Sequence, residues 1–470
     1  MNAACFQENE AMTPEARAPR GLELSGRRVL VVGLARSGLA AAEFLLKQGA
    51  RVVATDRLPE EKLDPRIKAL AGLGAVLELG GHRGKNFLEA DLIVVSPGVP
   101  ATLPLIEKAV AAGVPVVGEM ELASWFVEVP MVAVTGTNGK TTTTRLIGEL
   151  LRAGEKRVFV GGNIGNPLVG LLLGGERVDA AVVEVSSFQL ETVRTFHPQV
   201  AVHLNLTPDH LDRHGDLAAY AALKARLFAC QEPTDTAVLN ADDPAVAGMK
   251  TKARRLMFSR QGPVENGAFI DRDRIRVLAD GRELAALGLK RLSLPGRHNQ
   301  ENMMAGLLSV VGLGLPLSGA VLEAAARFQG LPHRLEFVGR VGGVRFFDDS
   351  KATNVGAVVQ ALEAFEEPIV LIAGGQDKGA DFESLRPVTA GRVKKLILIG
   401  QAREKMSRAL GDVVETVQAA DMAEAVSLAR QAARPGEVVL LAPACASFDM
   451  FDDYAHRGRV FTDLVLGRTV

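Results

Sequence analysis

The sequence predicts an α/β fold in three domains, and three observations carry that reading. Short β-branched runs alternate with amphipathic or Ala-rich stretches along the chain: Val29–Val32, Val52–Thr55, Leu92–Ser96, Val132–Thr135, Ala181–Val185, Val200–Leu204, Ile369–Ala373, Lys395–Ile399 and Val438–Ala442. Most of these runs are continuously apolar, the mark of strands covered on both faces in a parallel sheet flanked by helices. Finally, 48 glycines among 470 residues suit many tight strand-to-helix turns. Breaks near Glu128-Val129-Pro130 and Gly330-Leu331-Pro332 divide the chain into expected domains 21–127, 128–331 and 332–470. Residues 259–292 read as short strands and turns, a small antiparallel appendage on the middle domain. Residues 1–20 hold acids and prolines without an apolar core, and read as a mobile extension with Met12 as an alternative start.

Composition narrows the function classes. Lys plus Arg is 54 and Asp plus Glu is 55, so no general electrostatic pull on nucleic acid or an anionic membrane is expected. Cys5, Cys230 and Cys445 form neither a disulfide framework nor a zinc-ligand spacing, which points to a reducing compartment. Met303 to Leu322 carries no charge and is long enough to suggest a membrane span. Gly312, Gly314, Pro316, Ser318 and Gly319 break it, however. The expected structure is a helix ending near Gly312, a loop, and a second helix capped by Ser318. No membrane insertion, a cytoplasmic location and a monomer are the expectations.

The first domain opens with Arg28–Val32 running into Gly33-Leu34-Ala35-Arg36-Ser37-Gly38 and a helix Leu39–Gln48. The next strand ends in Asp56. In dinucleotide-binding βαβ units the helix N-terminus receives a pyrophosphate and such an acid takes ribose hydroxyls. The middle glycine of that fingerprint is Ala35 here, so the pattern speaks for a nucleotide and only weakly for NAD. The loop Ser96-Pro97-Gly98 belongs at the same sheet edge.

The middle domain opens with Val132–Thr135 and Gly136-Thr137-Asn138-Gly139-Lys140-Thr141-Thr142, followed by a helix. Backbone N–H groups of such a loop cradle phosphates, the lysine adds a point charge, and the next hydroxyl reaches Mg²⁺. ATP binding follows from this context. Asn163, Glu184, Gln189 and His210 lie at or just beyond further strand ends. Glu184 is the first choice as the carboxylate beside Mg²⁺–ATP. Lys224 lies on a helix, Tyr220–Cys230, and its spacing by itself reads as a surface or ion-paired lysine.

In the third domain Phe347–Asn354 lies between a strand and a helix, Gly374–Gly379 and Pro443–Ser447 follow strands, and the three would form a small-ligand face. Lys378 and Arg334 are cations able to hold carboxylate or phosphate.

Taken in order, GTNGKTT, GGNIG, EVSSFQL, NLTPDHLDRH, YAALK, GRHNQEN, LPHRLE, FDDSKATN, GGQDKGADF and LAPACASFD resemble the Mur ligase family, from about residue 22 to the C-terminus. Within it the resemblance favours members that add D-glutamate to UDP-N-acetylmuramoyl-L-alanine. It implies a Rossmann-like UDP-substrate domain, a central P-loop ATPase-type domain and a Rossmann-like amino-acid domain. It implies ATP-driven amide formation through an acyl phosphate, with two Mg²⁺ ions. Lys140 would stabilise the transferring phosphoryl group. Thr141 and Glu184 would hold one metal, and His210 and a carbamylated Lys224 the other. Gly136–Thr142, Asn299, Arg334 and Asp349 would bind ATP. Arg36, Ser37, Asp56, Arg57 and Ser96–Gly98 would hold the uridine diphosphate, with Asn163 and Gln189 orienting the muramoyl part. Thr353, Lys378 and Ser447 would bind D-glutamate, and Tyr454 stands where some members place Phe. Another amide ligase of the family, such as a folylpolyglutamate synthase, is the alternative. An NAD-dependent oxidoreductase leaves GTNGKTT unexplained, and a P-loop switch protein would release phosphate without an acceptor.

Overall fold

The computed structural model describes residues 23–294 and 296–468, with the side chains of Leu211 and Asp212 excepted. The expected extension 1–20 lies outside the described residues. The chain forms three sheets, all α/β, as expected from the continuous apolar runs.

The first sheet holds β1 (Arg28–Val32), β2 (Arg51–Asp56), β3 (Val76–Leu79), β4 (Leu92–Val95) and β5 (Val116–Gly118), all parallel, in the order β3-β2-β1-β4-β5. The second holds β6 (Met131–Thr135), β7 (Val158–Gly162), β8 (Ala180–Glu184), β9 (Val200–His203), β10 (Thr236–Asn240), β11 (Arg254–Ser259), β12 (Gly267–Asp271), β13 (Arg274–Ala279) and β14 (Arg282–Gly288). Its order is β14-β13-β12-β11-β10-β9-β6-β8-β7. The antiparallel strands β13 and β14 are joined to the parallel part because β12 pairs parallel with β11. The appendage is thus an edge of the central sheet and not a separate layer. The third sheet holds β15 (Glu336–Val341), β16 (Val344–Asp348), β17 (Ile369–Gly374), β18 (Val393–Ile399), β19 (Glu415–Gln418) and β20 (Val438–Leu441), ordered β15-β16-β20-β17-β18-β19.

The charge-free stretch resolves as a helix Arg297–Gly312 and a helix Gly319–Arg327, whose cap Ser318 accepts from the Val321 N–H. Among the described residues no helix is long and apolar enough to cross a membrane.

The first two sheets share one buried apolar cluster, running from Val29, Phe44 and Met120 to Ala133, Leu168 and Phe196. Two buried glutamates from the helix Glu119–Ser124 bridge the same junction. Glu121 Oε1 accepts from the Thr195 N–H (2.7 Å), the Thr195 hydroxyl (2.6 Å) and the Trp125 indole (3.2 Å). Its Oε2 accepts from the N–H groups of Arg194 (3.0 Å) and Phe196 (3.1 Å). Glu121→Ala would orphan the N–H groups of Arg194, Thr195 and Phe196, and a loss of about 3 kcal/mol or more is expected. Trp125 is the only tryptophan, so its emission reports the junction. A red shift at lower denaturant in the variant is the expected readout, and an unchanged midpoint would refute it.

Glu119 Oε1 accepts from the Val169 N–H at 2.6 Å, and burial pushes its carboxyl up to about 7. The folded protein therefore keeps a proton that the unfolded chain loses above the ordinary value of 4.5. Its contribution to stability is present at low pH and falls as pH rises from 4.5 to about 7. Glu119→Gln keeps the acceptor without the charge. It is expected to raise Tm relative to the parent at about pH 8 and much less at about pH 4. Equal shifts at both pH values would exclude titration of Glu119 as the cause.

Candidate active site

The polar strand ends gather where the strand order reverses. In parallel sheets such switch points open a crevice beyond the carboxyl ends of the strands.

In the first domain the switch lies between β1 and β4. The turn after β1 packs so closely that a Cβ on Gly38 would sit 1.9 Å from the Gly33 carbonyl oxygen. Two residues expected to hold the uridine diphosphate also build this turn. Asp56 Oδ2 accepts from the Leu34 N–H (2.7 Å) and Oδ1 from the Leu58 N–H (2.9 Å). The Ser96 hydroxyl donates to the Gly33 carbonyl at 2.7 Å. Their carboxylate and hydroxyl bind backbone groups that a turn this tight leaves without strand partners. Arg36, Arg57 and Gly98 are exposed around the turn, with Ser37 and Pro97 half-buried.

In the second domain β6 lies between β9 and β8, and the phosphate-type loop follows β6. Gly139 adopts a left-handed conformation (φ 82°), and a Cβ there would come 2.4 Å from Asn302 Oδ1. The loop is held from β9's exit: Asn138 N–H donates to Asn205 Oδ1 (2.8 Å), and Thr137 exchanges hydrogen bonds with the Thr207 backbone (3.0 Å each). Behind it the buried pair Asn299 and Asn302 is hydrogen-bonded (3.1 Å), and Asn302 Oδ1 accepts from the Thr143 hydroxyl (3.1 Å). Thr142 is buried on the same helix. Asn302 was not among the expected site residues. The GRHNQEN segment offers two asparagines, and only the packing shows that the second abuts Gly139.

Lys140 Nζ donates to the carbonyls of Gly136 (2.8 Å) and Thr137 (2.7 Å). Lys224 Nζ donates to the same Gly136 carbonyl (2.9 Å) and to the Thr135 hydroxyl (3.3 Å). Lys224 is 1% exposed and donates hydrogen bonds to neutral groups, which overturns the surface or ion-paired reading. Burial pulls its amine well below the ordinary lysine range, and the charge of Lys140 pulls the same way. Burial also lowers Lys140. Burial and the Lys140 charge both favour the neutral form of the Lys224 amine over its ammonium.

Glu184 is 2% exposed at the end of β8. Its Oε1 accepts from the Asn163 amide (2.7 Å), while its Oε2 is buried without a hydrogen-bond partner. The Asn138 Nδ2 donor is likewise buried and unpartnered. An unmatched anionic oxygen and an unmatched donor beside a phosphate-type loop suit a hard cation and an anionic oxygen respectively. Gln189 is buried, and its Oε1 accepts from the Ser186 N–H (3.0 Å) in a capping box. Its carbonyl therefore shapes the turn after Glu184. His210 has a positive φ (52°) and is exposed, its ring packed edge-on to Phe188 at 5.0 Å.

The third domain reaches this loop directly. Arg334 Nη2 donates to the Thr141 hydroxyl at 2.8 Å. Burial pushes the Asp349 carboxyl up to about 7, against the pull of Arg334. Lys351, which the sequence reading passed over within FDDSKATN, belongs to the same cluster. Its Nζ stands 4.0 Å from the Tyr454 ring centroid. Burial lowers its amine to about 8, helped by Arg334, Lys140 and Lys378 and opposed by Glu184. Ser447 is buried at the loop after β20, Lys378 is exposed after β17, and Thr353 is half-buried after β16.

Three family models match the three sheets in order. A Mur ligase MurD-like N-terminal domain matches residues 27–118, the Mur ligase middle domain 134–310, and the Mur ligase glutamate ligase domain 333–445. The chain belongs to the Mur ligase family. Among its relatives, a Desulfosudis oleivorans protein named UDP-N-acetylmuramoylalanine–D-glutamate ligase is 48% identical over 446 residues, 94% of this chain and 97% of that one. A Geobacter metallireducens protein of the same name is 49% identical over 442 residues, again 94% and 97%. The fold is also that of a pseudomurein peptide ligase type C from Methanothermus fervidus (TM-score 0.62, 18% identity, covering 94% of this chain and 100% of that one). Membership in the family accounts for a phosphate-type loop approached by residues of a second domain, since a ligase must bring an activated acid and its acceptor together.

Proposed function

We propose that this protein is an ATP-dependent amide ligase that adds D-glutamate to UDP-N-acetylmuramoyl-L-alanine in the cytoplasm, as a monomer, for peptidoglycan precursor synthesis. The observation that carries the reading is the Arg334–Thr141 hydrogen bond, which ties the third domain to the phosphate-type loop. The near-half identity to D-glutamate ligases over 94% of the chain supports the choice of acceptor.

In this reading residues 21–127 bind the UDP part, 128–331 bind ATP and 332–470 bind the amino acid. Arg36, Ser37 and Arg57 are the side chains available to the diphosphate, on a turn held by Asp56 and Ser96. The substrate carboxylate attacks the γ-phosphorus of ATP, ADP leaves, and an acyl phosphate forms. The amine of D-glutamate then attacks the acyl carbon, loses a proton, and phosphate departs. Lys140, the loop N–H groups and Arg334 stabilise charge on the transferring phosphoryl oxygens. Asn299 and Asp349 contribute to the ATP site. Mg²⁺ would be held by Thr141 and Glu184, with a second ion at His210 and a carbamylated Lys224; bound there it would neutralise phosphate charge. Lys378, Thr353, Ser447 and Tyr454 receive the acceptor's carboxylates, with Lys351 beside them.

The test is phosphate release from Mg²⁺–ATP and UDP-N-acetylmuramoyl-L-alanine with D-Glu, L-Glu, D-Ala or L-Lys as acceptor. Release that requires D-Glu, with a product heavier by one glutamyl unit, is expected. Release without acceptor dependence, or activity only with folate acceptors, would overturn the assignment.

A further inference from the structure

Arg457 lies on the helix Tyr454–Leu466 and is 0% exposed. Its side-chain hydrogen bonds go to residues beside the candidate ligand-binding ones and hold together the segments that carry them. Nε donates to the Ser350 hydroxyl (2.9 Å), and Nη2 donates to the carbonyls of Ser350 (2.9 Å) and Cys445 (3.1 Å). Nη1 donates to the Ala446 carbonyl (3.2 Å). The Ser350 hydroxyl in turn donates to the Tyr454 carbonyl (2.8 Å). A third segment is locked to the second: Gln376 and Ala446 exchange backbone hydrogen bonds of 2.9 and 3.0 Å. A Cβ on Gly375 would stand 3.1 Å from Arg457 Nη1. One guanidinium therefore joins the loops that lead to Thr353 and Ser447 to the helix that carries Tyr454, and the loop that leads to Lys378 is paired to the second of these.

The chemistry of the contacts is unusual for a buried cation. Its partners are carbonyls and a hydroxyl, while Asp348 and Asp449 act on it only through space. Asp348 is itself engaged by His333 Nδ1 at 2.6 Å. A guanidinium presents several N–H donors in a rigid fork, which an ammonium cannot copy. A buried charge left without a carboxylate is costly unless something compensates it. An acceptor with two carboxylates, bound on the loops above, would supply the missing negative charge.

We propose that Arg457 is a positioning residue for the acceptor amino acid: it fixes the loops 350–353 and 443–447 against each other and places a positive charge beneath the face that takes the carboxylates. This rests on the reading of the third domain as the acceptor domain. The test compares wild type, Arg457→Lys and Ser350→Ala in steady-state kinetics with each substrate varied in turn, and in thermal unfolding with and without Mg²⁺–ATP. Arg457→Lys is expected to raise KM for D-glutamate about tenfold or more, with KM for ATP and for the UDP substrate within about twofold. Ser350→Ala, which removes one acceptor and no charge, is expected to raise the same KM by less. A parallel change in all three KM values, or a lower kcat at unchanged KM for D-glutamate, would overturn the proposal. If Arg457→Lys fails to fold, an unchanged KM for D-glutamate in Ser350→Ala overturns it. Failure of the wild type to use D-glutamate at all would instead overturn the reading of the domain.

Discussion

Lys224→Met is expected to lower the D-glutamate-dependent rate by on the order of 10³-fold, while leaving the protein folded and able to bind ATP. The loss follows from chemistry and not from packing. Lys224 donates to the Gly136 carbonyl, but Lys140 donates to the same oxygen at 2.8 Å, so the loop keeps a donor when Lys224 is removed. Methionine fills similar buried volume without introducing a polar group. In the proposed reading the variant loses an amine whose neutral form would attack CO₂, forming an N–C bond and releasing a proton. The resulting carbamate would place a negatively charged oxygen pair among the charges of Lys140, Asp209 and Glu184. Two measurements check this. Wild-type protein equilibrated with ¹³C-bicarbonate should show a carbamate carbon resonance that is missing in Lys224→Met. Wild-type activity should also fall when dissolved CO₂ is removed and return with bicarbonate. A variant retaining activity within about tenfold, or a wild-type rate indifferent to CO₂, would refute the role.

Glu184→Gln is the second large effect. The substitution preserves shape, and its amide oxygen can still accept the Asn163 hydrogen bond seen at 2.7 Å. What changes is charge. Glu184 is a fully buried carboxylate whose field is felt by Lys140, Lys224 and Lys351, and its Oε2 has no protein partner. Removing that charge should cut kcat by about 10²–10³-fold and move half-saturation by Mg²⁺ to higher concentration. A variant with an unchanged Mg²⁺ dependence would show that Oε2 faces no cation during turnover.

Which of these features could be read without coordinates follows from their range along the chain. The nine apolar runs became strands because a strand covered on both faces must be apolar at consecutive positions, a local pattern. The strands passed over include β3, β5 and β19, which lie at sheet edges and are only three or four residues long. The interior strand β10 was missed for another reason: Thr236 and Asn240 leave only three apolar residues between them. The phosphate-type loop and Glu184 were legible for a similar cause. A parallel sheet collects polar residues at strand ends, and each lies directly after an apolar run.

Helical and loop positions were less legible, because a residue's partners there come from elsewhere in the chain. Lys224 looks like any helical lysine, and it is buried only because the loop 135–136, some 90 residues earlier, lies against it. Asp56 and Ser96 were read as ligand contacts from their place at strand ends, and only the packing shows that they also hold the backbone of the turn after β1. Asn302, Lys351 and Arg457 carried no local signal that set them apart from their neighbours.

The sequence by itself thus determined the α/β class, the three-part organisation, the phosphate-type loop and the family motifs. Each is written in contiguous residues whose backbone demands are local. The tertiary structure alone decided that the first two sheets share a core pinned by Glu119 and Glu121, whereas the third has apolar clusters of its own and meets the loop through Arg334 and Thr141. It alone showed that Lys224 is buried and donates to the Thr135 hydroxyl and the Gly136 carbonyl. Burial and desolvation depend on what the rest of the chain packs against a side chain, and that is a property of the folded whole.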